Sequence, residues 1–485
     1  MPGAAPCAAA SRPWVLAATI LASAMAFIDG SVVTIVLPVL QRELGAGLGA
    51  LQWVVNGYTL PLAALLLVGG AAGDRFGRRR VFVVGTVLFA LASAACALAP
   101  GTAWLIATRA VQGVGAAIMV PQSLAIIAAA FPPEIRGRAI GTWAAAAAVT
   151  TALGPAAGGL LIDSLGWRVA FWINLPLAVA VVALARAHVP ESRSPAAGPI
   201  DWLGGVLAVA ASALLTLGLG ALAESSGGGG RAAGLIAAGI LAGAAFVRVE
   251  RRAAAPLVPV SLFAVRAFAG ANLMTLFLYG ALAAAMFLLP FDMIGRRGLS
   301  PAAVGLVILP MGLVIGLFAR PAGALADRFG VRVFLVTGSG VVAMACGWLA
   351  AAPAGLVAGV VLPIMTLAAG MALVVAPLTT AVMNAAPEAL AGAASGISNT
   401  ASRLAGLFAV ALVGSVVAVA FALPDARFGV FPSVDDARFP IVAAAFDRAY
   451  WAGMAAAAAM AALAALTAWI SVGQAPMTSS GMPPP

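Results

Sequence analysis

The chain has 485 residues, of which 63% are hydrophobic and 9% are charged, and its mean hydropathy is +1.09. So small a charged fraction leaves too few polar side chains to cover a water-soluble globule of this length, which excludes an ordinary soluble protein. In a soluble chain the net charge of +10 would indicate nucleic acid, but the arginines fall in short segments between apolar runs. No nucleic-acid partner is therefore predicted.

Fourteen apolar runs follow one another along the chain, and each is long enough to cross the ~30 Å hydrocarbon core of a bilayer. They predict an all-α membrane protein. The runs occupy residues 13–40, 50–72, 81–99, 102–128, 138–162, 168–187, 200–222, 231–248, 267–291, 301–325, 332–351, 355–381, 392–421 and 449–472. Because their number is even, both termini lie on one side of the membrane.

The runs fall into three groups along the chain. Residues 13–187 are predicted to form an N-terminal six-helix bundle, 199–248 two inserted transmembrane helices, and 266–472 a C-terminal six-helix bundle. Residues 424–447, rich in acids and arginines, predict an external loop before the last span. The first run is long, contains Asp29 and continues into a second run, which indicates a retained helix and not a cleaved signal.

The arginines are distributed unevenly between the two sides of the membrane. With the N-terminus in the cytoplasm, most of them fall on the cytoplasmic side, including those in the segment 75–80 and the pair Arg136 and Arg138. This bias follows the positive-inside rule. It predicts a multi-pass protein of the plasma (inner) membrane with both termini in the cytoplasm.

A segment after the second run recurs after the tenth. GAAGDRFGRRRVFVVG begins at Gly70 and GALADRFGVRVFLVTG begins at Gly323, which matches Asp74 to Asp327. The positive-inside rule alone makes basic loops converge, but the shared DRFG and the later glycine exceed what charge bias requires. The two six-helix groups therefore indicate an internal repeat, from which many secondary transporters build a midplane site between two bundles.

Two charged residues and one amide inside the N-terminal group of runs are candidate site residues. Asp29 is in the first run, within IDGSVVTIVLP, and Arg109 and Gln112 are in the fourth, within LIATRAVQGVGAA. A charge in a membrane span is costly, so such residues face a water-filled cavity or pair with each other. The residues alone leave alternatives open: Asp29 as a structural or capping acid, and Arg109 in a structural ion pair or near a helix end, where its charge reaches the interface.

Two further patterns contain glycines that permit tight turns or close helix approach. The segment between the second and third runs contains Gly70, Asp74, Arg75, Gly77, Arg78 and Arg79. The fifth run contains GPAAGG, formed by Gly154, Pro155, Gly158 and Gly159. Because proline removes a helical hydrogen bond and small residues allow close approach, the fifth run is predicted to be kinked and tightly packed. The alternatives are a solvated topogenic loop for the first pattern and ordinary helix packing for the second.

These motifs resemble those of the major facilitator superfamily, specifically its fourteen-helix drug:proton antiporter branch (EmrB/QacA type), and the resemblance extends from about Trp14 to Trp469. It implies two six-helix bundles plus two extra helices. It also implies a role in proton coupling for Asp29 and Arg109, a cytoplasmic latch between the bundles for the loop pattern, and an antiporter signature for GPAAGG.

The substrate cavity is expected to involve Gln112 and Asp292. A helix-end position is an equal alternative for Asp292, which lies where the ninth run ends.

The predicted function is proton-coupled export of small amphipathic or cationic compounds by alternating access, that is, multidrug efflux. The alternatives are a dedicated metabolite or self-resistance exporter and a solute symporter of the same fold, which GPAAGG disfavours. A membrane-embedded sensor or scaffold would need no buried Arg/Asp pair. No P-loop, catalytic triad or metal-ligand spacing occurs in the sequence, so no enzyme activity, cofactor or metal is predicted. The expected partners are protons, a small-molecule substrate and lipid, and the need for a periplasmic adaptor is left open.

Overall fold

The computed structural model describes residues 7–194, 198–222, 228–253, 255–351, 355–387, 390–423 and 425–472. Within these residues the chain forms helices and no β-strand, and 14 helices are long and apolar enough to cross a membrane. They are α1 (Ala9–Glu43), α2 (Leu48–Phe76), α3 (Arg78–Ala97), α4 (Thr102–Ala130), α5 (Glu134–Leu165), α6 (Val169–His188), α7 (Trp202–Ala221), α8 (Gly229–Glu250), α9 (Arg266–Arg296), α10 (Pro301–Phe329), α11 (Val331–Ala351), α12 (Val357–Asn384), α13 (Gly392–Phe421) and α14 (Phe439–Ser471). The predicted all-α class and number of spans are confirmed.

Both copies of the DRFG segment form the same turn. α2 ends before Gly77 and α10 ends before Gly330, and these two glycines have φ values of 109° and 98°. Residues with a Cβ rarely adopt this region, whereas glycine enters it without a steric clash. α3 and α11 begin at the next residue. The repeated sequence therefore specifies a repeated sharp connection between two long helices.

The largest boundary difference is at α14, which begins at Phe439 and not at 449 as predicted. Its first turns contain Asp447 and Arg448, and hydropathy assigns such charges to a loop. In the structure Asp447 pairs with Arg296 at 3.2 Å, and Arg448 Nε donates to the Ala420 carbonyl oxygen at 3.1 Å. These contacts allow the helix to continue beyond its apolar part, so the predicted external loop 424–447 is shorter. Of that loop, position 424 lies outside the described residues.

The described helices run between two faces. We call the face that carries Ala9 and Ser471 the terminal face, and the opposite one, where α1 turns into α2, the distal face. α5 and α10 pack closely toward the distal face, where a Cβ on Gly159 would overlap the Pro301 carbonyl oxygen. α2 and α13 are joined on the same side, since Gln52 Nε2 donates to the Val410 carbonyl oxygen at 2.8 Å. The two bundles are therefore sealed against each other near the distal face.

The apolar core has the same asymmetry. One cluster of buried apolar residues runs from the distal half of α1, at Val36, into the C-terminal bundle, at Phe287. A second cluster, which includes Met25 and Phe82, fills the terminal half of the N-terminal bundle. Among the described residues this second cluster includes no member from the C-terminal bundle. The bundles thus share a buried core near the distal face. Toward the terminal face α2 and α13 are still close, since a Cβ on Gly396 would lie 2.9 Å from the Leu67 side chain.

The inserted helices α7 and α8 pack on each other beside the α2–α13 seam. Ser415 on α13 donates to the carbonyl oxygen of Leu219 on α7 at 2.7 Å. At the opposite end of α7, near its start, a Cβ on Gly205 would lie 2.8 Å from the Val68 side chain of α2. The pair therefore contacts both bundles through α7. The division into 13–187, 199–248 and 266–472 stays a prediction.

Candidate functional site

A charge cluster lies inside the N-terminal bundle, where α1 and α4 meet. Asp29 and Arg109 are both 1% exposed, and Arg109 Nη1 donates to Asp29 Oδ2. Gln112 Nε2 donates to Asp29 Oδ1 at 2.8 Å, and Gln112 Oε1 accepts from Arg109 Nη1 at 2.8 Å. The structure thus brings together three of the polar residues that the sequence singled out. Arg109 and Gln112 are three residues apart on α4, so both lie on the helix face that meets Asp29.

Two neighbouring helices complete the enclosure of Arg109. Its Nε donates to the Val54 carbonyl oxygen on α2 at 3.2 Å. Its guanidinium carbon lies 4.2 Å from the ring centroid of Tyr58 and 5.8 Å from that of Phe171. Removing a single charge from water costs several kcal/mol, and here pairing, hydrogen bonds and ring faces offset that cost. The cluster is stable as an ion pair, and loss of the Asp29 charge would leave Arg109 without its countercharge.

Asp292 lies apart from this cluster, at the distal end of α9. It is 3% exposed, and its Oδ2 accepts from Arg297 Nε at 2.6 Å. Arg297 also donates to the Gly355 carbonyl oxygen at 2.9 Å, which ties this end of α9 to the start of α12. Gln112 is fully buried against Asp29. That Gln112 and Asp292 belong to a substrate cavity stays a prediction.

The GPAAGG motif packs in two directions. Cβ atoms on Gly154 and Gly158 would overlap Ser31 Oγ and the Val32 side chain, both on α1 of the same bundle. A Cβ on Gly159 would instead overlap Pro301 of α10, in the other bundle.

The backbone carbonyl of Pro155 also lies against α10, where a Cβ on Gly305 would overlap it. The motif therefore contributes to packing within the N-terminal bundle and to the contact between the bundles.

The loop motif contacts the segment that follows α6. Asp74 pairs with Arg78 at 2.7 Å, and the Arg78 backbone N–H donates to the Ser192 carbonyl oxygen at 2.9 Å. Ser194 N–H in turn donates to the Asp74 carbonyl oxygen at 3.0 Å. Arg75 Nη1 reaches the Gly198 carbonyl oxygen at 3.4 Å.

Glu191 extends this contact to the start of α3. Its carboxylate accepts the backbone N–H groups of Arg79 and Arg80 at 3.1 and 3.2 Å, which satisfies two free donors at a helix start. Gly77 lies beside the same carboxylate, since a Cβ there would be 2.7 Å from it, while a Cβ on Gly70 would lie 3.8 Å from Pro121 of α4. These partners belong to the N-terminal half and its linker. A latch between the bundles stays a prediction.

The sequence did not single out three residues that join or face the two bundles. Asp163 Oδ2 on α5 accepts the backbone N–H of Ala302 at 3.1 Å and thereby caps α10. Gln52 bridges α2 to α13, as described above. Arg403 lies between the bundles. A lone arginine in an apolar run was a readable signal, whereas nothing in the sequence around Asp163 or Gln52 indicates a partner in the other bundle.

Among the described residues no group of three or more His, Cys, Asp or Glu side chains could hold a metal ion.

Known protein sequences match this chain over most of its length. A sequence model described as Major Facilitator Superfamily matches residues 19–410. The chain is 34% identical over 409 residues to the multidrug resistance protein Stp of Mycobacterium tuberculosis (strain CDC 1551 / Oshkosh), covering 83% of this chain and 75% of that protein. It is 34% identical over 412 residues to the tetracenomycin C resistance and export protein of Streptomyces glaucescens, covering 84% and 76%. It is 36% identical over 399 residues to the cephamycin export protein CmcT of Amycolatopsis lactamdurans, covering 80% and 81%.

Solved structures share the fold at low sequence identity. A bacterial homologue of the human lysosomal transporter Spinster, in an inward-facing and unoccupied conformation, aligns with a TM-score of 0.71 at 16% identity, covering 96% of this chain and 97% of that one. A D-xylose–proton symporter aligns with a TM-score of 0.64 at 17% identity, covering 95% and 98%. At these identities the likeness concerns the fold.

Proposed function

The chain belongs to the Major Facilitator Superfamily, and from that premise we propose that it exports small amphipathic or cationic compounds in exchange for protons. The observation that carries the proposal is the buried cluster of Asp29, Arg109 and Gln112. A carboxylate whose bonding partners all lie inside the membrane can gain or lose a proton. Protonation removes the negative charge that pairs with Arg109. The protein therefore acts as a transporter and not as an enzyme.

The transport cycle follows from the asymmetric packing of the bundles. In the structure they meet near the distal face, and Asp29 is paired with Arg109. We assign this arrangement to the state after proton release, with the space between the bundles open to the cytoplasm and ready for substrate. Rocking of the bundles would then expose the space to the outside, where Asp29 is reprotonated. Each proton returning across 100 mV contributes about 2.3 kcal/mol.

The two sequence motifs have matching roles in this proposal. Gly159 and Pro155 form the distal contact that must break when the space opens outward, so the GPAAGG motif serves as the antiporter seal. The loop of Asp74 and Arg78 would latch the bundles on the cytoplasmic side in the opposite state. Both termini are proposed to be cytoplasmic, in the plasma (inner) membrane, following the arginine bias.

A dedicated exporter is the second candidate. Two of the relatives are named for export of a single compound or class, tetracenomycin C and cephamycin. Another is named a multidrug resistance protein. The breadth of the substrate range therefore separates the two candidates.

Export is tested in everted membrane vesicles from a bacterial host that lacks its own multidrug exporters. A respiratory pH gradient is monitored by quinacrine fluorescence, and compounds are added one at a time. We expect compounds that are substrates to dissipate the gradient in vesicles that contain the protein and not in empty vesicles. A panel in which no compound does so, while the protein is present in the membrane, argues against proton-coupled export. Response to one chemical class alone indicates the dedicated exporter.

Orientation is tested with single cysteines in a variant that lacks Cys7, Cys96 and Cys346, which are all buried. Arg80→Cys should react with a membrane-impermeant maleimide only in everted vesicles, and Asp435→Cys only in intact cells. The reverse pattern would invert the proposed topology and with it the direction of transport.

A further inference from the structure

Arg403 is the single charged residue of α13. It is eleven positions from Gly392, which corresponds to about 17 Å along the helix axis. Its guanidinium carbon lies 5.8 Å from the ring centroid of Phe27 on α1, in the other bundle. Its neighbours on α13, Asn399 and Ser402, line a cavity together with Tyr279 of α9. Arg403 therefore points into the space between the bundles and not into lipid.

Within the part of the chain that the structure describes, Arg403 makes no hydrogen bond and no ion pair. It is half-buried, so its five N–H donors remain available in that space. Arginines in membrane spans normally pair with an acid or a carbonyl oxygen, as Arg109 and Arg297 do here. The carboxylate of Asp29 is bonded to Arg109 and Gln112 and not to Arg403. Arg403 thus has no acceptor among the described residues and can bind one that enters the space beside it.

A polar cavity of about 140 Å³ lies in the C-terminal bundle toward the terminal face, and Ser402, next to Arg403 in the chain, is one of its lining residues. Its polar lining consists of neutral side chains on three helices of the C-terminal bundle: Thr275, Tyr279, Thr379, Ser395, Ser398, Asn399 and Ser402. Asn399 is one helical turn before Arg403, on the same face of α13. The cavity is smaller than a drug-sized site of roughly 300–1,000 Å³, so it suits one polar end of a larger molecule. Among the described residues that line it there is no carboxylate to receive a cation.

We propose that Arg403 binds an acidic group of the exported compound, so that the preferred substrates are amphipathic molecules with a carboxylate or a comparable anion. This inference rests on the proposed export function and narrows its substrate class. The guanidinium holds the anion in charge-assisted hydrogen bonds, and the hydroxyl-rich cavity receives neighbouring polar groups. The apolar remainder of the molecule lies against the aromatic and aliphatic walls of the open space.

The test compares four proteins in the exporter-deficient host: wild type, Arg403→Gln, Arg403→Lys and the control Arg438→Gln, which removes an exposed arginine of the distal loop. The probes are fusidate and nalidixate as acids, chloramphenicol as a neutral compound and ethidium as a cation. Initial export rates are measured below saturation, and each purified variant is checked by gel filtration in detergent. We expect wild type to export at least one acid. Arg403→Gln should slow that export about ten- to a hundredfold and leave ethidium and chloramphenicol unchanged or faster.

Arg403→Lys keeps the charge without the planar fork, so it should retain several-fold more acid export than Arg403→Gln. It also serves if Arg403→Gln does not fold, because a selective loss of acid export in the lysine variant still supports the assignment. Equal losses for all three charge classes would overturn it and make Arg403 a packing residue. Undiminished acid export by Arg403→Gln, or export of ethidium and chloramphenicol alone by wild type, would also overturn it. If wild type moves no probe of any class, the export function itself fails.

Discussion

The two bundles share a repeated fold but differ in whether the charged side chains inside the membrane are paired. In the N-terminal bundle Asp29 and Arg109 are paired, fully bonded and almost inaccessible. Under the offset that matches Asp74 to Asp327, the position of Asp29 corresponds to Leu282 in the C-terminal bundle. That bundle instead presents an arginine, Arg403, to the open space. The two halves thus share the helical scaffold, while the charged side chains inside the membrane differ between them.

The difference is also one of accessibility. A buried, paired carboxylate responds to a proton, which is small enough to reach it through transient openings. An unpaired guanidinium beside a cavity responds to a larger acceptor. On the N-terminal side the ring of Tyr58 lies 4.2 Å from the guanidinium carbon of Arg109 and helps to enclose the pair.

The largest expected effect comes from removing the titratable group of the N-terminal bundle. Asp29→Asn keeps the size and hydrogen-bonding capacity of the side chain but has no proton to exchange, so gradient-driven export should fall to the level of empty vesicles. Exchange of labelled for unlabelled substrate without a gradient should persist, because it needs only the rocking of the bundles. The measurement is export and exchange in the same vesicles.

Asp435→Asn, an exposed acid of the distal loop, is the matched control and should behave as wild type. Gradient-driven export by Asp29→Asn at the wild-type rate would contradict the proposed role of Asp29, because proton coupling would then depend on another residue. Loss of both export and exchange would indicate that Asp29 holds the bundle together structurally.

A smaller effect separates packing between bundles from packing within one. Gly159→Leu places a side chain against Pro301 of α10, so the distal contact cannot close. We expect export to fall at least about tenfold, with the protein inserted and its thermal stability near that of wild type, since the bundles themselves are intact. A cysteine at Ala302 should then become reactive to an impermeant maleimide from outside.

The adjacent Gly158→Leu provides the comparison. It forces a side chain against Val32 within the N-terminal bundle, and such overpacking costs about 1–3 kcal/mol. Thermal stability in detergent should fall, with a proportionate loss of export and no new labelling at position 302. If the two leucine variants gave the same stability and labelling, the division of the motif between two packing partners would be wrong.

The smallest effect is expected at the linker after α6. Glu191→Ala removes the carboxylate that accepts the N–H groups of Arg79 and Arg80, and loss of such a cap costs about 0.5–2 kcal/mol. Thermal stability should fall slightly and protease cleavage near 191 should increase, with export largely preserved. Glu134→Ala, at the exposed start of α5, removes a similar charge without these bonds and serves as control. Identical behaviour of both variants would show that the linker contact is unimportant.

Several features of the site were predictable from the sequence because a membrane span makes charge conspicuous. Asp29 and Arg109 stand alone in long apolar runs, and the need for a partner follows from the cost of burying either one. Asp292 was just as conspicuous, yet its partner is Arg297, five residues later, at the distal end of α9. Conspicuous charges therefore identify candidates, but sequence separation does not reveal which candidates meet.

What the sequence by itself determined is the number of spans and the turn shared by the two repeats. Run length against bilayer thickness decides the first, and the conformational freedom of Gly77 and Gly330 allows the second. The tertiary structure alone decided that Gly158 faces α1, that Gly159 faces α10 and that Arg403 faces the open space. For the two glycines the reason is that the surrounding part of α5 is apolar on every side, so no polar stripe indicates which face meets lipid and which meets protein. The rotation of the helix is decided by close packing between segments far apart in the chain.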